Sequence, residues 1–345
     1  MTDDTSTPPP AQTPPQAQTP PSAQPAASAT SVGFDRVPWG AVLLYVVLAC
    51  GLAWLVALPL WLGDGLREPY AGLLLPVMMY TPAVATLLVM LILRIPGRGH
   101  RLRFLGIWPL RPAKRVIWLV VLGLLAPVAL VFVTVLVAGA FGWIRLDLIG
   151  LSGFQEVLAA QTPPGTPLPP AVVIVLAQLV SIPIAAATVN ALAAFGEELG
   201  WRGFLLPALR PLGTWPALVL SGVVWGLWHA PIILLGYNFG RTDITGVLTM
   251  VGGCVAWGIL LGWLRLRSGS VWPAVFAHGA LNASAGMFVW FFAAGTTTDP
   301  VLSGVLGAAG WIVCAVVVVV LVLSGQFRRQ PPLADPRAET TPPMA

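Results

Sequence analysis

The sequence predicts an all-α fold, a polytopic membrane helix bundle of about eight transmembrane helices. Three observations predict it. The chain is 57% hydrophobic and only 9% charged over 345 residues, whereas a soluble domain carries about 25% charged residues. Apolar runs of about 20 residues, the length that crosses a hydrocarbon core, recur along it. These runs are continuously apolar, unlike barrel strands, which alternate in polarity. A helix satisfies its own backbone hydrogen bonds in lipid, so helices are the elements expected.

In chain order the predicted spans are 40–63, 71–94, 116–142, 171–196, 215–236, 245–264, 271–294 and 303–325. The fourth is expected to continue past Glu197 as a helix into the interface, and Pro183 is the place where it would break. Together they form an integral membrane domain over 37–326. The flanking stretches differ. Residues 1–36 are rich in Pro, Thr, Ala and Gln and are almost free of aliphatics; residues 327–345 read alike. Neither stretch can bury enough apolar surface to fold, so both are expected to be disordered tails. The N-terminal one lacks the basic start of a secretory signal, and neither shows a lipidation signal. Cys50, Cys254 and Cys314 all fall inside predicted spans, are odd in number and form no C-x-x-C pair. They read as small packing residues.

Charge sets the orientation. With the N-terminus inside and eight alternating spans, only Arg67, Arg145 and Arg241 of the 18 basic residues lie outside. The remaining 15, Arg265 among them, face the cytoplasm, and the opposite topology would invert this. Both termini are therefore expected in the cytoplasm of a multi-pass cell-membrane protein. The net charge of +5 then reflects topology and anionic lipid heads, and nothing suggests a nucleic-acid groove. The densest basic loop is 94–115. His100 lies in it and reads as a solvated or lipid-facing residue.

A few polar residues sit where lipid would make them costly, by about 2.5–3.5 kcal/mol for a charge at the bilayer centre. Glu197, Glu198 and Arg202 close the fourth span in FGEELGWR. His229 lies in the fifth, in VVWGLWHAP, and His278 and Asn282 lie in the seventh, in VFAHGALNAS. Spacing relates them. Glu198 and Arg202 are i, i+4 and can pair on one helix face. Glu197 is rotated from Glu198 by about 100°, which leaves it free to face elsewhere. His278 and Asn282 share a face. Trp225 and His229 repeat the spacing, so an indole can pack beside the imidazole and orient it. At about 1.5 Å of rise per residue, Glu197 and His229 lie roughly 20 Å in, Asn282 about 18 Å and His278 about 12 Å. Three spans, the fourth, fifth and seventh, can therefore bring these groups around one cavity open to the cytoplasmic side.

A carboxylate and an imidazole can deprotonate a water held between them. A second imidazole and an amide supply donors for an oxyanion. That set suffices for amide hydrolysis through a tetrahedral intermediate, with water as nucleophile. Alternatively, Glu197, His229 and His278 are the ligand types of many hydrolytic zinc sites. Spacing does not choose between these two. Taken singly, a Glu–Arg pair at a helix end or a histidine in a span is ordinary structure. Two intramembrane histidines, an asparagine and a double glutamate at matching depth are less so.

At these residues a family pattern emerges. EELGWR (197–202) matches EExxxR, WGLWH (225–229) matches FxxxH with Trp for Phe, and HGALN (278–282) matches HxxxN. In this order they resemble the CAAX protease and bacteriocin-processing (Abi) family of intramembrane endopeptidases, which includes the type II CAAX prenyl endopeptidases. The resemblance covers about 171–295. It implies that Glu197 is the catalytic carboxylate, that His229 helps to activate water, and that His278 and Asn282 stabilise the oxyanion. Arg202 then becomes a positioning residue paired with Glu198. It implies a peptide or membrane-protein substrate, of prenylated CAAX type or otherwise membrane-associated. It requires no cofactor if the carboxylate acts alone, with zinc the alternative. Asn is an unusual zinc ligand and a good oxyanion donor, which favours the metal-free version. Trp225 is the departure from the pattern, and its larger ring implies a different local pocket. Two other classes remain open from the residues themselves: a proton-coupled transporter using Glu and His as a relay, and a non-catalytic membrane scaffold. No repeat relates the two halves of the chain, as many transporters would require.

Overall fold

The computed structural model describes residues 34–328. The predicted tails 1–36 and 327–345 lie outside the described residues except at their inner ends. There Phe34 packs edge-on against Phe104, with ring centroids 5.4 Å apart, and Phe327 packs on Trp215 at 4.7 Å. Helices make up the fold. Among the described residues the only β pairing is an isolated bridge between Leu146 and Phe292.

Among the described residues, six helices are long and apolar enough to cross a membrane: Trp39–Leu62, Ala71–Ile92, Ala113–Ala140, Ile244–Ser268, Trp272–Phe291 and Pro300–Leu323. A seventh span results if Ala171–Ala187 and Val189–Leu212, bent by 42° at their junction, count as one. Large apolar side chains such as Leu43, Val47, Leu91, Ile117, Leu176 and Val320 point outward from these helices, as lipid-facing surfaces require. The chain is a multi-pass membrane protein.

Among the described residues, six or seven such helices stand against the eight spans expected, and the difference lies at the fourth and fifth. Pro183 sits within the Ala171–Ala187 helix, and the break comes at Thr188, whose backbone is not helical (φ −118°, ψ −98°). Side chains take over the carbonyls there. Thr188 Oγ1 donates to the Ile184 carbonyl at 2.7 Å, and Asn190 Nδ2 donates to that of Ala185 at 3.3 Å. Such local bonds compete with helix continuation. The fifth segment, expected over 215–236, is a helix of 15 residues, Thr214–Trp228. At about 1.5 Å per residue it falls short of a hydrocarbon core about 30 Å thick. Pro231 lacks the N–H that a continuing helix needs. A loop with positive φ at Gly236, Asn238 and Gly240 then leads away. His229 therefore stands at a helix end, not inside one.

The fourth segment does continue past Glu197. Val189–Glu198 passes into a π-helical stretch, Leu199–Leu205, that carries Arg202. Extra residues of this kind inside a helix commonly mark functional sites. Arg265 holds the stretch in place. It was expected among the lipid-facing basic residues, yet it is buried. Its Nε donates to the Arg202 carbonyl at 3.0 Å and its Nη2 to the Phe104 carbonyl at 2.8 Å. Gly106, at φ +72°, makes room for that guanidinium: a Cβ there would lie 2.7 Å from its carbon.

Small residues bring the site helices together. Gly222 and Gly226 form a small-x-x-x-small pair, which lets membrane helices approach at the backbone. A Cβ on Gly226 would meet the Val251 Cα at 2.4 Å, and one on Gly222 the Val255 Cα at 2.7 Å. Gly279 does the same between the Trp272–Ser284 helix and the break at Thr188, where a Cβ would lie 2.7 Å from the Ala186 carbonyl. The contacts place Glu197, His229 and His278 on three elements around one interior space.

Candidate active site

The carboxylates of Glu197 and Glu198 are both buried, at 2% and 0% exposure, and take different partners. Glu198 Oε1 accepts from Arg202 Nη1 at 2.8 Å, the i, i+4 pair expected from spacing. The same oxygen lies 2.9 Å from His278 Nδ1, eighty positions away. An ionised carboxylate only accepts, so His278 Nδ1 is the protonated nitrogen and its Nε2 is turned from Glu198. Charge-assisted bonds of this kind are the strong ones.

Glu197 accepts two indole N–H groups on a single oxygen. Trp225 donates to Oε2 at 2.6 Å and Trp201 donates to it at 3.2 Å. No hydrogen bond to Glu197 Oε1 is made among the described residues. Trp201 reaches Glu197 because it is i, i+4 to it. Trp225 reaches it from the Thr214–Trp228 helix, 28 positions further along the chain.

His229 Nδ1 lies 2.9 Å from the Trp225 carbonyl. A carbonyl only accepts, so Nδ1 carries the proton and Nε2 is left with a lone pair. The Trp225 ring lies beside His229, with centroids 6.0 Å apart, and its carbonyl adds the hydrogen bond that orients the imidazole. The ring packs edge-on near His278 at 5.3 Å, and the Arg202 guanidinium carbon lies 4.5 Å above it. Trp228 in turn fixes the helix end, donating from its indole to Thr81 Oγ1 at 2.9 Å.

Glu197, His229, His278 and Asn282 line one cavity of about 430 Å³. Asn282 is exposed at its edge. The structure thus brings the four groups named from the sequence around one space. Trp201, Asn190, Tyr237 and Asn238, which also hold or line the site, were not singled out from the sequence. For Trp201 the i, i+4 signal was present in EELGW. For the other three only the break at Thr188 and the loop after Ile233 bring them in. Cys254 lines the cavity as well, with its sulfur 3.8 Å from His229 Nδ1. His100 lies elsewhere, exposed beside Arg103, Trp108 and Arg111.

A zinc site would need three ligands converging on a point. Among the described residues no three His, Cys, Asp or Glu side chains are gathered in that way. Glu197, His229 and His278 share the cavity without forming a ligand set.

Fold and site together define a multi-pass helical membrane protein with a buried carboxylate–imidazole cavity between its helices. Residues 179–284 match the family described as type II CAAX prenyl endopeptidase Rce1-like. Over 97 residues the chain is 32% identical to "CAAX prenyl protease 2" of Methanococcus maripaludis, a match covering 26% of this chain and 36% of the relative. The similarity expected from EELGWR, WGLWH and HGALN is therefore borne out, and the matched segment holds all three motifs.

Proposed function

We propose that this chain is an intramembrane endopeptidase in which Glu197 activates water. The observation that carries the reading is the Glu197 carboxylate, bonded through Oε2 alone and sharing one cavity with two imidazoles and an amide. Glu197 Oε1 takes a proton from a water held between it and His229 Nε2. The water oxygen forms a bond to the carbonyl carbon of the scissile peptide, and the carbonyl π electrons move to its oxygen. His278 and Asn282 donate to that oxyanion, His278 as an imidazolium whose counter-ion is Glu198. Collapse breaks the C–N bond, and the proton passes from Glu197 to the departing nitrogen. Arg202 acts through Glu198 and holds it in place.

The substrate is a peptide segment at the membrane, of prenylated CAAX type or another membrane-associated kind, in line with the name of the archaeal relative. The reaction needs no metal. Purified protein in nanodiscs is expected to cleave a quenched peptide library equally well before and after treatment with a zinc chelator. Cleavage lost on chelation and restored by zinc would assign the Glu and His residues to a metal instead. No cleavage, together with Glu197-dependent uptake of a solute into liposomes, would point to a proton-coupled carrier.

With an even number of crossings, both termini face the cytoplasm and the cavity opens to that side, the arrangement that the distribution of basic residues supports. Reporter domains fused to either end are expected to be active only in the cytoplasm; activity of either one outside would reverse the topology.

A further inference from the structure

Trp225 occupies the position where the resembled pattern has phenylalanine, and its indole does something a phenyl ring cannot. It donates its N–H to Glu197 Oε2 at 2.6 Å, the shorter of the two indole bonds on that oxygen. We propose that Trp225 is a positioning residue for Glu197, one that holds Oε2 so that Oε1 is the oxygen offered to water. This rests on reading Glu197 as the base.

The geometry favours more than a satisfied buried donor. A glutamate carboxyl rotates readily about its last torsion, which is broad and two-fold. Two donors on one oxygen remove that freedom and distinguish the two oxygens. Both donors are neutral, so they fix the oxygen without engaging the carboxylate in an ion pair. The cation that is present, Arg202, is turned to Glu198 at 2.8 Å and lies against the face of the same indole. The ring also meets the His278 imidazole edge-on. One side chain thus touches Glu197, Arg202 and His278 and keeps the guanidinium on the structural carboxylate. Trp201 alone, at 3.2 Å from within the π-helical stretch, is the weaker of the two holds on Glu197.

The test uses the full chain in nanodiscs. The Trp225 indole is replaced by the isosteric benzothiophene, which removes only the N–H, and in a second variant by Trp225→Phe. Each is expected to lower kcat on a cleaved peptide by about 10- to 100-fold, with KM changed by less than about twofold. Trp201→Phe is expected to have a smaller effect. A 15N label placed in the Trp225 indole gives a readout independent of activity. Its N–H resonance is expected downfield, as for a bond to a carboxylate, and is expected to move upfield in Glu197→Leu. Wild-type kcat in the benzothiophene protein, or a Trp225 resonance indifferent to Glu197→Leu, overturns the proposal. Cleavage surviving in Glu197→Gln would instead overturn the base reading, so the two failures are told apart.

Discussion

Replacing Glu197 with glutamine is expected to lower peptide cleavage by about 10³-fold or more, within the range that a positioned base contributes and beyond, while the protein still folds. The reason lies in how the two oxygens are used. Glutamine has nearly the same shape, and its amide oxygen can accept the Trp225 and Trp201 indoles as Oε2 does. The packing around it therefore survives. Its amide nitrogen, now in place of Oε1, has no lone pair with which to take a proton from water. The measurement is single-turnover cleavage of a peptide substrate, with thermal unfolding in detergent as the control for folding. Cleavage within about tenfold of wild type would remove Glu197 from the chemistry. Lost cleavage with lost folding would make its role structural.

Replacing Glu198 with alanine is expected to destabilise the fold by about 3–5 kcal/mol, the usual cost of removing one partner from a buried pair. Glu198 is 0% exposed and Arg202 2%. Without the carboxylate the guanidinium keeps its backbone setting but loses its counter-charge inside a dry interior. His278 loses its orienting acceptor at the same time, so cleavage is expected to fall in any protein that remains folded. The second substitution Arg202→Met, added to Glu198→Ala, is expected to restore much of the stability, because it removes the uncompensated charge. It should restore none of the activity. Denaturant unfolding in micelles measures the first effect. A single variant as stable as wild type, or a double variant no better than the single, would show that the pair does not hold the site.

Much of this site was legible in EELGWR, WGLWH and HGALN, because helix periodicity links residues three and four apart. The Glu198–Arg202 pair follows from it directly, and so does the shared face of His278 and Asn282. Periodicity says nothing about partners on other helices. The bond from Trp225 to Glu197 spans 28 positions, and that from His278 to Glu198 spans 80. Both depend on how separate helices pack; for the second, Gly279 lets its helix close on Ala186 and Ala191, a contact that hydropathy does not register. Arg265 shows the same gap. Counted along the chain it is one more cytoplasmic charge, yet it is buried against the carbonyls of Arg202 and Phe104.

The sequence by itself determined the class of the protein: continuous apolar runs have no other stable form in lipid than helices, and charged groups placed among them must face an interior. It also pointed to Glu197, His229, His278 and Asn282 among the residues that gather there. Tertiary structure decided where the fourth and fifth segments are broken, because the bend at Thr188 and the end of the helix at Trp228 arise from local bonds and from Pro231, not from average hydropathy. It also decided which oxygen of Glu197 is held by the two indoles. That choice depends on the direction of two indole N–H groups, and direction is set only when the helices that carry them are packed.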